Sequence, residues 1–313
     1  MKLTVASSPH SRGNFRTNRI MMDVCLALLP ALIVGVMRFG FRVIPVTTIC
    51  IGAAIVTEWL YSLLTKSRNT TLDGSAIVTG LLLAMTLPHT VPYWQCVVGS
   101  VFAILFVKCL CGGLGQNIFN PALAARAFLL LIYPVGITRY LGVDGVSAAT
   151  PLHHMVMPAL PEETIMDMFL GNCPGSIGEI SAAALLVGFA YLLWRKVISA
   201  RIPVAYIGTV AVLTLVFHKT DAPLQWMLYS LFGGGVMLGA IFMATDYATS
   251  PATPRGQIIY GIGCGVLTVL FRYYGLFPEG VTYAILIMNA FVWFIDYMTP
   301  IRRFGTQKGG AAK

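Results

Sequence analysis

IMMDVCLALLPALIVGVM, residues 20–37, follows Arg12, Arg16 and Arg19 and carries one charge, Asp23. A helix crossing the roughly 30 Å core of a bilayer needs about 20 apolar residues. The stretch therefore reads as a first transmembrane helix. No small-residue cleavage site follows it, so it is expected to stay on the chain rather than be removed as a signal peptide.

Working outward, the same reading recurs at 43–64, 74–88, 92–110, 118–133, 179–196, 202–218, 224–243, 257–274 and 281–298. The expectation is an all-α integral membrane protein of about ten transmembrane helices. The third and fifth stretches are short and rich in Gly, Asn and Pro. Composition agrees: of 313 residues 57% are hydrophobic and 11% charged, against roughly 25% charged in soluble domains. The chain divides into an N-terminal segment (1–19), a first membrane half (20–133), a long loop (134–178), a second membrane half (179–298) and a C-terminal tail (299–313).

The net charge of +9 does not point to nucleic acid, because the basic residues cluster at the ends of apolar runs, where they set orientation. With ten spans both termini share one side. That side holds fifteen Lys and Arg (Lys2, Arg12, Arg16, Arg19, Lys66, Arg68, Lys108, Arg195, Lys196, Arg201, Arg255, Arg302, Arg303, Lys308 and Lys313). The other holds five: Arg38, Arg42, Arg139, Lys219 and Arg272. Both termini are thus expected in the cytoplasm of a bacterial or archaeal cell, and the 134–178 loop outside. The seven cysteines form no Cys-x-x-Cys pair, which argues against a zinc or iron–sulfur site built by this chain alone. Cys173 has no loop partner, so no structural disulfide is expected.

A faint duplication runs through the chain. Gly113-Leu114 to Ala127-Phe128 resembles Gly275-Leu276 to Ala290-Phe291 about 162 residues later, and Gly80 to Thr86 resembles Gly239 to Thr245. Two repeats of five spans would be inverted relative to one another, an arrangement that places a buried site near the midplane.

Two segments carry candidate chemistry. Gly112-Gly113-Leu114-Gly115-Gln116-Asn117-Ile118-Phe119-Asn120-Pro121-Ala122-Leu123 offers glycines for close backbone approach. Asn120 reads as an N-cap with Pro121 at the first helical position, and Asn117 and Asn120 supply amide donors and acceptors. The segment reads either as a ligand site or as a re-entrant structural loop. Asp144-Gly145-Val146-Ser147-Ala148-Ala149-Thr150-Pro151 reads by residue type alone as a surface turn. It also resembles the flavinylation motif Asp-x-x-(Ser/Thr)-x-Ala-Thr, matched at Asp144, Ser147, Ala149 and Thr150, in which a transferase joins FMN to the threonine hydroxyl. Arg126 lies inside a span, where it either neutralises a reduced flavin or pairs with a carboxylate. Glu58, Asp246 and Asp296 lie near expected cytoplasmic ends, as interfacial charges or as ion-coupling groups.

These two segments, with Ala-Thr-Asp-Tyr-Ala-Thr-Ser-Pro at 244–251, follow the order of one family. The chain resembles the D subunit of Rnf electron transport complexes, whose homologue is the B subunit of the sodium-pumping NADH:quinone oxidoreductase. The opening Ser-Pro-His at 8–10 looks more like the Rnf member. Ala148 departs from the glycine common in relatives but leaves Thr150 intact. The resemblance implies covalent FMN on Thr150, with Asp144 and Ser147 in the recognised loop, and noncovalent riboflavin near Asn117 and Asn120. It implies redox-driven sodium or proton transport, with activity belonging to a complex rather than to this chain alone. Implied partners are ferredoxin- and NAD-handling subunits, a second flavinylated subunit, membrane iron–sulfur subunits, lipid, and a flavin transferase acting outside the cytoplasm. No dinucleotide fingerprint is present. The alternatives are the quinone-reductase B subunit, a solute channel or transporter with inverted repeats, and a passive scaffold for redox partners. Neither a channel nor a scaffold needs the Thr150 loop.

Overall fold

A computed structural model describes residues 17–66, 71–138, 140, 160–161, 163–275 and 280–300. Among them every regular element is a helix. Four helices are long and apolar enough to cross a bilayer: α1 (Thr17–Phe39), α2 (Val43–Thr65), α12 (Pro254–Tyr274) and α13 (Val281–Met298). A fifth candidate is bent by 61° at a three-glycine break, Gly233 to Gly235. Its arms are α10 (Pro223–Phe232) and α11 (Val236–Leu238), the latter continued by a π-helical turn, Gly239–Met243. Shorter apolar helices are α3 (Ser75–Thr86), α4 (Tyr93–Phe102, continued by a π-helical stretch Ala103–Cys109), α5 (Pro121–Ile132), α8 (Ala182–Trp194) and α9 (Arg201–Val216). Two small helices, α6 (Pro134–Ile137) and α7 (Ile165–Leu170), lie between α5 and α8. Each stretch expected to be a span coincides with one of these apolar helices or with the bent pair.

The short helices have a physical logic. At 1.5 Å per residue, the 12 residues of α3 and of α5 reach only about 18 Å, less than the bilayer core. Both ends of α3 and the start of α5 are buried in the protein, where backbone groups need partners because lipid supplies none. The chain provides them. Met85 O and Leu87 O, at the end of α3, accept from Gly178 N (2.8 Å) and Ile177 N (3.1 Å). The first arm of the bent pair is closed by Arg272 of α12, which donates to Ser230 O and to Gly233 O (2.9 Å). The sequence places Arg272 among the basic residues of one flank; in the fold it is 7% exposed and serves as this cap.

Where helices touch, small residues let backbones close in. A Cβ on Gly188 of α8 would press into Ala27 O of α1 and lie 2.9 Å from the Phe242 ring. With no hydrophobic drive between helices in lipid, such close packing is what holds them together. Gly188→Ala should therefore lower stability by about 1–3 kcal/mol. Gly208→Ala, with open space around its Cβ, should not, in thermal unfolding of the detergent-purified chain.

Candidate functional site

The glycine loop and the start of α5 sit where the two halves of the chain meet. Asn120 is the N-cap of α5: its Oδ1 accepts from Ala122 N (3.1 Å) and Leu123 N (3.3 Å). Its Nδ2 donates to Met243 O (3.2 Å), across 123 residues, at the end of the π-helical turn of the second half. Asn289 of α13, with its amide turned to suit its neighbours, accepts from Asn120 N and donates to Thr249 O, both at 3.1 Å. Six residues further along α5, Arg126 pairs with Glu179 at 2.7 Å, both nearly buried. Glu179 Oε1 crowds Gly235, where a Cβ would come within 2.6 Å. α5 is thus tied at its start to the end of the bent pair, and at Arg126 to its break.

Beside this junction lies a partly open cleft. Its walls come from α1 (Met21, Val24), α3 (Ser75, Val78, Thr79, Leu82), Lys108, Leu114, Asn117 and Asn120 of the first half, and Leu192, Phe242, Thr245 and Asp246 of the second. The space between these walls is about 780 Å³ out to the open mouth, yet only about 80 Å³ can be reached by the centre of a water molecule. The cleft, called the slot below, has room for a small molecule only. Apolar walls with a few placed polar groups are the usual make-up of a small-molecule site. Both π-helical stretches contribute to it, Lys108 from one and Phe242 from the other; such wide turns recur at functional sites.

The polar groups differ in what they can still do. Asn120 is committed to the cap and the inter-half bond. Asn117 is 5% exposed; its Nδ2 donates to Phe119 O (3.1 Å), and its Oδ1 remains to accept from a ligand. Asp246 organises the 244–251 turn, accepting from Ala248 N and Thr249 Oγ1, both at 3.4 Å. Of the residues singled out from sequence, Asn117, Asn120 and Asp246 come together here. Arg126 does not line the slot. Asp296 accepts from Ala252 N (3.2 Å) and stands apart. Glu58, placed by sequence near an interface, is 2% exposed and pairs with Lys108 at 2.8 Å. Thr150, Asp144 and Ser147 lie outside the described residues.

Sequence reasoning misses Lys108 as a wall residue, along with Ser75, Thr79 and Phe242. Lys108 reads as a flanking charge, but it is 2% exposed. The signal that could have found it is a pair of opposite charges, Glu58 and Lys108, each inside an apolar run.

Residues 4–305 match the family model described as the NQR2, RnfD, RnfE family. The chain is 47% identical, over 98% of its length and 97% of the relative's, to the D subunit of the Na(+)-translocating ferredoxin:NAD(+) oxidoreductase complex of Acetobacterium woodii. It is 43% identical, over 97% of both chains, to the D subunit of the proton-translocating ferredoxin:NAD(+) oxidoreductase complex of Clostridium ljungdahlii. It is 34% identical to the D subunit of the ion-translocating oxidoreductase complex of Escherichia coli O157:H7, over 99% of this chain and all of the relative.

The geometry separates the two asparagines. Asn120→Ala removes the cap of α5, about 1 kcal/mol, and leaves the buried Met243 carbonyl without its donor, about 1–3 kcal/mol more. Thermal unfolding should register both. Asn117→Ala should cost well under half as much, since it breaks only one short-range bond.

Proposed function

Because the chain belongs to the NQR2, RnfD, RnfE family, we propose that it is the D-type membrane subunit of an ion-translocating ferredoxin:NAD oxidoreductase, and that it holds flavin in two places. The observation that carries the first part is identity of 47% and 43% to two such subunits along nearly the full length of both chains. The activity is that of the assembled complex, a redox-driven translocase in which this chain is a multi-pass membrane component. Its partners are the other subunits, those that handle ferredoxin and NAD, a second flavinylated subunit and membrane iron–sulfur subunits. These two relatives differ in their coupling ion, one named for Na(+) and one as proton-translocating.

The finer architecture belongs to the same proposal. Ten apolar helices, six of them short or bent, cross or enter the membrane as two inverted repeats, with both termini in the cytoplasm. The end-to-end coupling of the two halves at Asn120 and Met243 supports this, since inverted repeats place broken helices face to face around a site.

The first flavin is FMN, esterified to Thr150 on the outer side, as the Asp144 to Thr150 pattern suggests. A tether keeps it close to neighbouring carriers. The second is riboflavin, held without a covalent bond in the slot. An isoalloxazine bound there supplies a centre that accepts and releases electrons. The residues do the rest. Val24, Val78, Leu82 and Phe242 exclude water from the ring faces, and Asn117 Oδ1 accepts from a ring N–H and so fixes its direction. Asn120 holds the wall in place from behind. Arg126, paired with Glu179 at 2.7 Å, stiffens α5 rather than meeting the ligand.

Three measurements test the reading. Thr150→Ala should leave folding within about 0.5 kcal/mol of wild type, as surface substitutions do, while abolishing the fluorescent chain band in a denaturing gel. Mass spectrometry of the wild-type tryptic peptide starting at Tyr140 should find the FMN adduct; an unmodified peptide from cells with active transferase sinks the covalent site. Reporter fusions at Lys66 and at residue 160 should report opposite sides of the membrane, and the same side would overturn the topology.

A further inference from the structure

The slot contains a cation that neither the family resemblance nor the motifs assign to it. Lys108 sits at the end of the π-helical stretch Ala103–Cys109, with its side chain 3% exposed. Its Nζ donates to Glu58 Oε1 of α2 (2.8 Å) and to Ser75 Oγ of α3 (2.7 Å). An ammonium carries three donors. Two are taken by these partners. The third has no acceptor among the described residues, and Lys108 is itself a wall of the slot together with Ser75, Thr79 and Asn117. The wide turn is what allows this, since inserting an extra residue per turn swings the Lys108 side chain off the regular helical course.

Placing a charge here is costly, and a structural role does not require it. A buried ion pair is commonly matched or bettered in stability by apolar residues of similar size. The pair is also built asymmetrically. Glu58 is behind the wall, and Lys108 is on it, so the slot meets the positive partner first.

We infer that Lys108 is a binding residue of the slot, donating its third N–H to a carbonyl of the bound isoalloxazine and favouring the reduced ring over the oxidised one. This rests on the riboflavin reading above and deepens it. Uptake of two electrons and one proton leaves one net negative charge on the ring, the electrons arriving from the preceding carrier of the complex and the proton from water at the mouth. A fixed cation in a site of low dielectric stabilises that charge more than it does the neutral oxidised ring. Glu58 and Ser75 hold the ammonium in position.

The test uses the purified full chain carrying Thr150→Ala, so that noncovalent riboflavin is its one flavin. Lys108→Met alone takes from the buried Glu58 its ammonium partner and can unfold the chain. The paired substitution Glu58→Gln with Lys108→Met removes both charges and keeps volume and a hydrogen-bonding amide. Added riboflavin is titrated in its oxidised and reduced states by fluorescence and by spectroelectrochemistry. In the paired variant the preference for the reduced ring should fall about tenfold, a midpoint roughly 30 mV lower for a two-electron couple. Lys108→Arg should restore most of it. A folded paired variant that binds riboflavin with an unchanged midpoint overturns the role of Lys108 and leaves the slot standing. A folded Thr150→Ala chain that binds no riboflavin sinks the slot reading and the inference with it.

Discussion

The hydrogen bond from Asn120 Nδ2 to Met243 O, 3.2 Å long and 123 residues apart in sequence, joins two helix ends that are buried inside the protein. Lipid offers no partner to an exposed N–H or C=O, so a helix may end at that depth only where the protein itself satisfies the ends. This constraint accounts for much of the architecture. α5 starts on Asn120, whose carbonyl oxygen serves two of its amides. α3 stops where Ile177 and Gly178 meet its last carbonyls. The bent pair breaks where Arg272 reaches Ser230 and Gly233. α3 and the bent pair are closed by residues distant in sequence and α5 by its own N-cap, and the slot lies beside the start of α5.

The buried charges obey the same constraint. Arg126 with Glu179 and Lys108 with Glu58 are each nearly withdrawn from solvent, and breaking either pair by removing one partner would cost about 3–5 kcal/mol. The pairs differ in setting. The first lies against the glycine break and joins α5 to it, a structural position. The second borders the slot, which its positive member lines. Two ion pairs of similar length therefore take different parts, decided by which neighbour lies on the open side.

The long helices were legible in the sequence because length and unbroken apolarity suffice for a span. Asn120-Pro121 was legible as a helix start because an N-cap followed by proline is a local signal. What was not legible depends on distance. The partner of Arg126 lies 53 residues away, and no local pattern names it. Lys108 and Arg272 read as flanking charges because hydropathy cannot distinguish a helix end in water from one inside the protein. The stretch 224–243 reads as one span by composition, yet Gly233, Gly234 and Gly235 bend it by 61°. The Thr150 loop, by contrast, is read from a resemblance and from residue type, and lies outside the described residues.

The central claim is that the slot between the two halves holds a flavin ring. A high-resolution cryo-electron microscopy map of the assembled complex, purified with its native flavins, tests it most directly. The account predicts flat tricyclic density between Val24, Val78 and Phe242, with one edge against Asn117. Lipid or collapsed side chains filling that space, with the noncovalent flavin elsewhere, would contradict it.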